Sequence, residues 1–254
     1  MASIETIADA EDRQVAILAS HPQLTITRVR IGPGVRVSGL HVHHTHTDAF
    51  YVLEGELTFE LGPHAQQTVL GPGGFVAVPP GVAHAFLNAS NAPAGLINFH
   101  AADGGFAAFL RGVRDGEQVA WDIHDVGDDG GVDPGHAVVL QAGAGASLTR
   151  ANGVAVVKSD LPEFSLAEFT VDGDLGGPDR RHYDAGVDSI YVLDGRLTVT
   201  VDGEERGVGA GELAFAPPGE THTFSHRKAG VARFLNIQAP ETGLACSMRG
   251  TSRL

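Results

Sequence analysis

Between Leu40 and Gly55 the chain reads LHVHHTHTDAFYVLEG, with His41, His43, His44, His46 and Asp48 inside eight residues. Folding alone gives no reason for that density. In an extended segment alternate side chains share a face, so His41 and His43 point the same way with Cα atoms roughly 6.6 Å apart. Two imidazoles can then converge on one metal ion, and Asp48 is a candidate third ligand. Neutral imidazole with carboxylate suits zinc, iron, manganese or nickel. A fourth ligand must come from elsewhere in the chain.

The elements that position these residues read as strands. Thr25 to Ile31 alternates and ends at Gly32-Pro33-Gly34; Ala49 to Leu61 reads as two strands hinged at Glu54-Gly55. A turn at Gly71 to Gly74 leads to Phe75–Val78, and Pro79-Pro80-Gly81 then stops any central strand. His84 to Asn88 and Ala94 to Phe99 are further extended runs, whereas residues 1 to 14 read as a loose lead-in. One helix is expected over Gly104 to Val113, because Phe106, Phe109, Leu110 and Val113 fall at i, i+3, i+4 and i+7. The Asp- and Gly-rich stretch from Asp115 to Gly135 has no apolar period and reads as a linker.

After it the pattern returns. Asp48 and Gly55 recur as Asp188 and Gly195, an offset of 140, while Pro79, Gly81 and His84 recur as Pro217, Gly219 and His222, an offset of 138. Arg111-Gly112 is answered by Arg249-Gly250, again at 138. A self-similarity this long means two copies of one β-domain, since solenoid repeats are far shorter. The division is placed at 133/134, giving domains 1–133 and 134–254.

Composition bounds the rest. The 254 residues are 43% hydrophobic, with 34 glycines and 13 prolines between short Val-, Leu-, Phe- and Thr-rich runs, as in an all-β protein. A formal charge of −14 argues against sequence-independent binding to nucleic acid or anionic membranes. The single cysteine, Cys246, excludes an internal disulfide and is compatible with a cytoplasmic location. The segment MASIETIADAEDR does not read as a signal peptide, and no run approaches the roughly 18 apolar residues of a membrane helix.

These residues resemble the cupin superfamily, and specifically the bicupins. The family's first motif, H-x-H, three or four residues, an acid, six residues and Gly, resembles His41-x-His43, Asp48 and Gly55. The second, G-x5-P-x-G-x2-H-x3-N, is matched at each fixed position by Gly73, Pro79, Gly81, His84 and Asn88. The resemblance implies two small antiparallel barrels, of the jelly-roll or double-stranded β-helix kind, with a short helix after each. It implies one divalent transition metal (Fe, Ni, Mn or Zn) per intact site, with His41, His43, Asp48 and His84 as N-terminal ligands.

There are two departures from the family pattern. Asp48 stands where the family usually has Glu, shorter by one C–C bond of about 1.5 Å. It either ligates through a shifted backbone or stands back and hydrogen-bonds a metal-bound water, leaving three histidines and open positions. In the C-terminal copy a strict offset puts Arg181 and Tyr183 at the histidine positions; a shift of one residue gives His182, Asp184, Asp188 and His222 as an altered site, with His226 in place of the motif's Asn. Of the remaining histidines, His44 and His46 read as outside the metal shell, His64 as solvated and His100 as a polar core residue.

Apolar neighbours such as Phe50, Val52, Phe75, Val78 and Phe86 serve either core packing or a dry pocket for a small, largely apolar substrate. The implied activity is that of a metal-dependent dioxygenase similar to the quercetin 2,3-dioxygenase branch, acting on an enol, phenol or diketone with Asp48 as base or switchable ligand. The alternatives are a redox-neutral isomerase, cyclase or decarboxylase, and a ligand-binding or storage bicupin. Exposed edge strands lead to the expectation of a homodimer.

Overall fold

The computed structural model describes residues 4–128, 130–150, 152–173, 185–227 and 230–240, the side chain of Arg150 excepted. Two compact units result, one ending at Gly143 and the other beginning at Ala144. The division falls ten residues after the expected 133/134. The reason is a strand, Val138–Leu140, that pairs antiparallel with Phe75–Val78 and so belongs to the first unit.

The first unit contains β1 (Glu5–Asp9), β2 (Arg13–His21), β3 (Leu24–Ile31), β4 (Thr47–Glu54), β5 (Leu57–Leu61), β6 (Gln66–Leu70), β7 (Phe75–Val78), β8 (His84–Leu87) and β9 (Ala94–Ala101). A helix, α1 (Phe106–Asp115), a short 3-10 turn (Pro134–His136) and β10 (Val138–Leu140) follow. A seven-stranded sheet has the order β1-β2-β3-β9-β4-β7-β10, and a second sheet has the order β6-β5-β8. The expected lead-in over residues 1 to 14 is thus wrong from Glu5 onward. There β1 pairs with β2, and Ile7, Val15 and Ile17 enter the core.

The core lies between the sheets, where Val29, Ile31, Phe50 and Val52 of the larger meet Leu57, Phe59, Leu70 and Phe86 of the smaller. Side chains alternate along a strand, so this core face can be followed residue by residue. On β4 it continues from Val52 and Phe50 to Asp48; on β9 from Leu96 to Asn98 and His100; on β8 from Phe86 to His84. The inner face is therefore apolar at one end and polar at the other. Gly55 closes the β4–β5 corner at φ +69°, where an added Cβ would lie 2.5 Å from the Pro93 carbonyl oxygen, and Gly195 does the same against Val231 at 2.6 Å. No side chain fits there, which accounts for the glycine at both ends of the repeat.

Helix α1 starts where the Asp103 carboxylate accepts from the backbone N–H of Gly105 and Ala107, both at 3.1 Å. Leu110 is buried and Phe106 and Phe109 pack on the core, but Val113 is 57% exposed and lies off the apolar stripe read from the sequence. Arg111 and Arg114 tie the helix to Glu5 of β1.

The second unit repeats the plan. It has β11 (Ala146–Arg150), β12 (Gly153–Leu161), β13 (Phe164–Asp172), β14 (Val187–Asp194), β15 (Arg196–Val201), β16 (Glu204–Gly209), β17 (Leu213–Ala216), β18 (His222–Ser225) and β19 (Val231–Ala239). Its sheets run β11-β12-β13-β19-β14-β17 and β16-β15-β18. The helix expected after this barrel, with Arg249-Gly250 and Cys246, lies outside the described residues. Among the described residues no helix is long and apolar enough to cross a membrane.

Candidate metal centre

His41, His43 and His84 meet at the polar end of the first core, with one ring nitrogen from each within 4.8 Å of the others. His41 and His84 are brought together by backbone, since His41 N–H donates to the His84 carbonyl at 3.1 Å and His84 N–H returns the bond at 2.9 Å. Each of the three imidazoles is also oriented by a main-chain carbonyl. Nδ1 of His41 donates to Gly39 at 2.8 Å, Nδ1 of His84 donates to Val82 at 3.1 Å, and Nδ1 of His43 donates to Asp122. A carbonyl only accepts, so each Nδ1 carries the proton and each Nε2 presents a lone pair.

Asp48 sits against this cluster, its Oδ2 3.3 Å from His84 Nε2 and 3.6 Å from His43 Nε2. Its Oδ1 accepts from Asn98 Nδ2, whose amide also donates to the Ala49 carbonyl at 3.1 Å. His43 Nε2 is buried with no hydrogen-bond partner. Lone pairs and a carboxylate thus converge in a buried place with no donor between them, which is costly unless a cation completes the set. The donor set fits a divalent transition metal. Nitrogen ligands fixed through Nδ1 by carbonyls are the arrangement that orients metal-binding histidines.

The titration behaviour agrees. Burial, reinforced by His84, lowers the His41 pKa to about 4, which keeps a neutral ligand at pH 7. Burial alone would raise Asp48, but the neighbouring His100 and the other imidazoles around it hold it well below the usual carboxylate range.

The other histidines divide as follows. His46 and His100 are buried beside His43, and the nitrogens of this second set are again close, but they are engaged in hydrogen bonds. His46 Nε2 lies 2.9 Å from His100 Nδ1, His46 Nδ1 lies 2.9 Å from Asp122 Oδ2, and His100 Nε2 donates to Asn98 Oδ1 at 2.9 Å. His44 is exposed and stacks on His124 at 4.0 Å, while His64 is exposed in its turn. The stretch from Asp115 to Gly135 is not a free linker. Asp122 lies within it and accepts from the N–H groups of His44 and Thr45, and Val42 pairs with His124, so the segment holds the histidine loop in place. Nothing in its composition signalled that. Asn98 had a legible signal, because Asn236 stands at the same offset of 138 in an equally apolar strand.

In the second unit the described residues bring together only Asp188 and His222, at 2.9 Å; His182 and Asp184 lie outside them. Asp188 accepts from Asn236 and, at 3.0 Å, from Gln238. His226 takes over the structural work of Asn88: Asn88 donates to the carbonyls of Ile31, Gly32 and Ala92, and His226 bonds those of Arg196 and Gly230.

Above the first cluster a cavity of about 230 Å³ reaches from His41, Asp48 and Asn98 outward between the sheet and α1. Its walls are Val15, Val29, Phe86, Phe109, Leu110 and Trp121. Trp121 also lies 5.0 Å, ring to ring, from His43.

Comparison with solved structures gives the same fold throughout. AerE from Microcystis aeruginosa superposes with a TM-score of 0.67 at 12% identity, over 94% of this chain and 97% of that one. A Cupin 2 conserved barrel domain protein from Leptotrichia buccalis gives 0.59 at 12%, over 91% of each chain. A mutant of Bacillus subtilis oxalate decarboxylase gives 0.59 at 14%, over 94% of this chain and 76% of that one. No curated protein matches the sequence. The Cupin domain model matches residues 27–100 and again residues 168–238, one stretch in each barrel, so the chain belongs to the cupin family and carries its domain twice.

Proposed function

We propose that the N-terminal barrel is the active barrel of a metal-dependent dioxygenase acting on a small, largely apolar enol, phenol or diketone. The observation that carries this reading is the convergence of His41, His43, His84 and Asp48 at the inner end of an aromatic-walled cavity. A divalent transition metal held by the three histidines would supply a Lewis acid that lowers the pKa of a substrate hydroxyl. The chain's own residues do the rest. Asp48, oriented by Asn98, is the carboxylate placed to take that proton. Trp121, Phe109 and Leu110 exclude water and strengthen every charge interaction within. A cavity of about 230 Å³ with these walls suits a small, largely apolar molecule.

A second reading, redox-neutral isomerisation, cyclisation or decarboxylation, is favoured by the same Asp48, since a positioned carboxylate in a dry pocket moves protons without oxygen. Oxygen uptake by metal-loaded protein decides between them, measured with small phenols and 1,3-diketones in aerobic and anaerobic parallel. Substrate loss that stops without oxygen is the expected result; equal loss in both atmospheres selects the second reading. No turnover of any member of either class overturns both and leaves a ligand-binding bicupin.

A further inference from the structure

The cavity has a second polar feature at its outer end. Arg13 lines it, at the start of β2, and its guanidinium pairs with no described residue. In the same unit Arg30, Arg36, Arg111 and Arg114 are each matched to a carboxylate, and of the two described arginines that are not, Arg13 and Arg28, only Arg13 lines the cavity. Arg13 thus offers a guanidinium with its donors uncommitted at the lip of an apolar cavity. A further group in the wall is also unsatisfied, because Ser38 Oγ is buried without a hydrogen-bond partner.

The register places these groups along the cavity. Arg13 pairs with Ile31 and Ile31 with Ala94, four residues along β9 from Asn98. At about 3.3 Å per residue that separates the level of Arg13 from the level of Asn98 and Asp48 by about 13 Å, part of which the arginine side chain spans. Ser38 lies three residues before His41, toward the inner end. Between the ends the walls are apolar.

We infer that the substrate is a carboxylate: a single-ring or similarly compact molecule whose oxygen faces Asp48 and the histidines, whose apolar body fills the middle, and whose far carboxylate is taken by Arg13. The guanidinium fork matches a carboxylate in two parallel hydrogen bonds, and Ser38 donates to an oxygen nearer the centre. Arg13 is then a specificity-determining residue. This rests on the cavity being the substrate site, as in the proposed reaction, but not on the reaction being oxidative.

The test is binding rather than turnover. Anaerobic calorimetry on the full chain, zinc-loaded and metal-free, compares para-hydroxyphenylpropanoate with its neutral primary amide. Wild type should prefer the carboxylate by about tenfold, a modest factor because the arginine is solvent-exposed. Arg13→Gln should abolish that preference while leaving the amide's affinity unchanged, and Ser38→Ala should weaken both probes by a similar factor. The preference should survive metal removal, since Arg13 is remote from the histidines, so a failure of the metal or oxygen reading leaves it measurable. A wild type that binds neither probe, shows no preference, or retains it in Arg13→Gln overturns the inference.

Discussion

Replacing Asn98 with leucine keeps the branched shape and removes three hydrogen bonds at once. Nδ2 donates to the Asp48 carboxylate and to the Ala49 carbonyl, and Oδ1 accepts from His100. The bond to an ionised carboxylate contributes about 2 kcal/mol, and the other two about 1 kcal/mol each. All the partners are buried and have no water to turn to, so the expected loss is about 4 kcal/mol, a large share of the stability of an ordinary domain. Without its amide donor Asp48 is no longer held in orientation toward the histidines, and metal affinity should fall by about 10-fold or more, the usual cost of losing an orienting partner. Urea unfolding of the metal-free chain, followed by the fluorescence of Trp121, reports the first unit alone because the sequence has one tryptophan. Asn236→Leu, the equivalent change in the second unit, should leave that transition in place. A loss below about 1 kcal/mol in Asn98→Leu, with metal content unchanged, would refute the reasoning, because it would make Asn98 a mere space-filler.

Elemental analysis of purified protein should find about one metal per chain, lost in His84→Ala and kept in His222→Ala; two separately lost equivalents would mean that the C-terminal site is also intact. Acid should destabilise the metal-free first unit: His41 titrates at about 4 when folded against 6.5 when unfolded, so the unfolded chain binds the extra proton between those values. Stability therefore falls as pH drops from 6.5 toward 4, by about 3 kcal/mol for this group, and a flat urea midpoint across that window would contradict the buried neutral imidazole. Gly104→Ala is strained twice, by a φ of +60° and by a Cβ placed 2.4 Å from the buried His46 Nδ1. It should cost about 2 kcal/mol in the same unfolding assay, and a neutral substitution would show that the loop before α1 yields freely. Cobalt added to metal-free protein should quench Trp121, which lies 5.0 Å from the His43 ring; unchanged emission with cobalt demonstrably bound would place the metal elsewhere.

How much of this was readable in the sequence depends on whether a residue acts through its neighbours or across space. The strands carrying Asp48 and His84 were readable because alternation, turn glycines and the 138–140 offset all act locally. β1 was missed because its five residues pair with β2 and bury only Ile7, leaving little alternation to see. Asp122 was missed for a different reason. It holds three residues of the histidine loop from a segment whose composition is that of a linker, more than 70 residues away, and no periodicity encodes such a contact. Arg13 is a similar case, since only the sheet register shows that it overlooks the cavity.

The two barrels share one device at the motif aspartate. Each holds its motif aspartate with an asparagine on the paired strand, Asp48 with Asn98 and Asp188 with Asn236, so this pair belongs to the barrel rather than to one activity. The copies differ one position further along the same strand face, where His100 in the first is answered by Gln238 in the second. Gln238 donates directly to Asp188 Oδ2 at 3.0 Å, so the second carboxylate has a protein donor on that oxygen. His100 spends its donor on Asn98, and Asp48 Oδ2 is left facing His43 and His84, whose Nδ1 protons are already committed to carbonyls. An amide in place of an imidazole thus gives Asp188 a donor from the protein that Asp48 Oδ2 lacks. His100→Gln should move the first barrel the same way, keeping its stability while weakening its hold on metal; a variant that binds metal as wild type would show that the ligand geometry, not the donors around Asp48, sets the affinity.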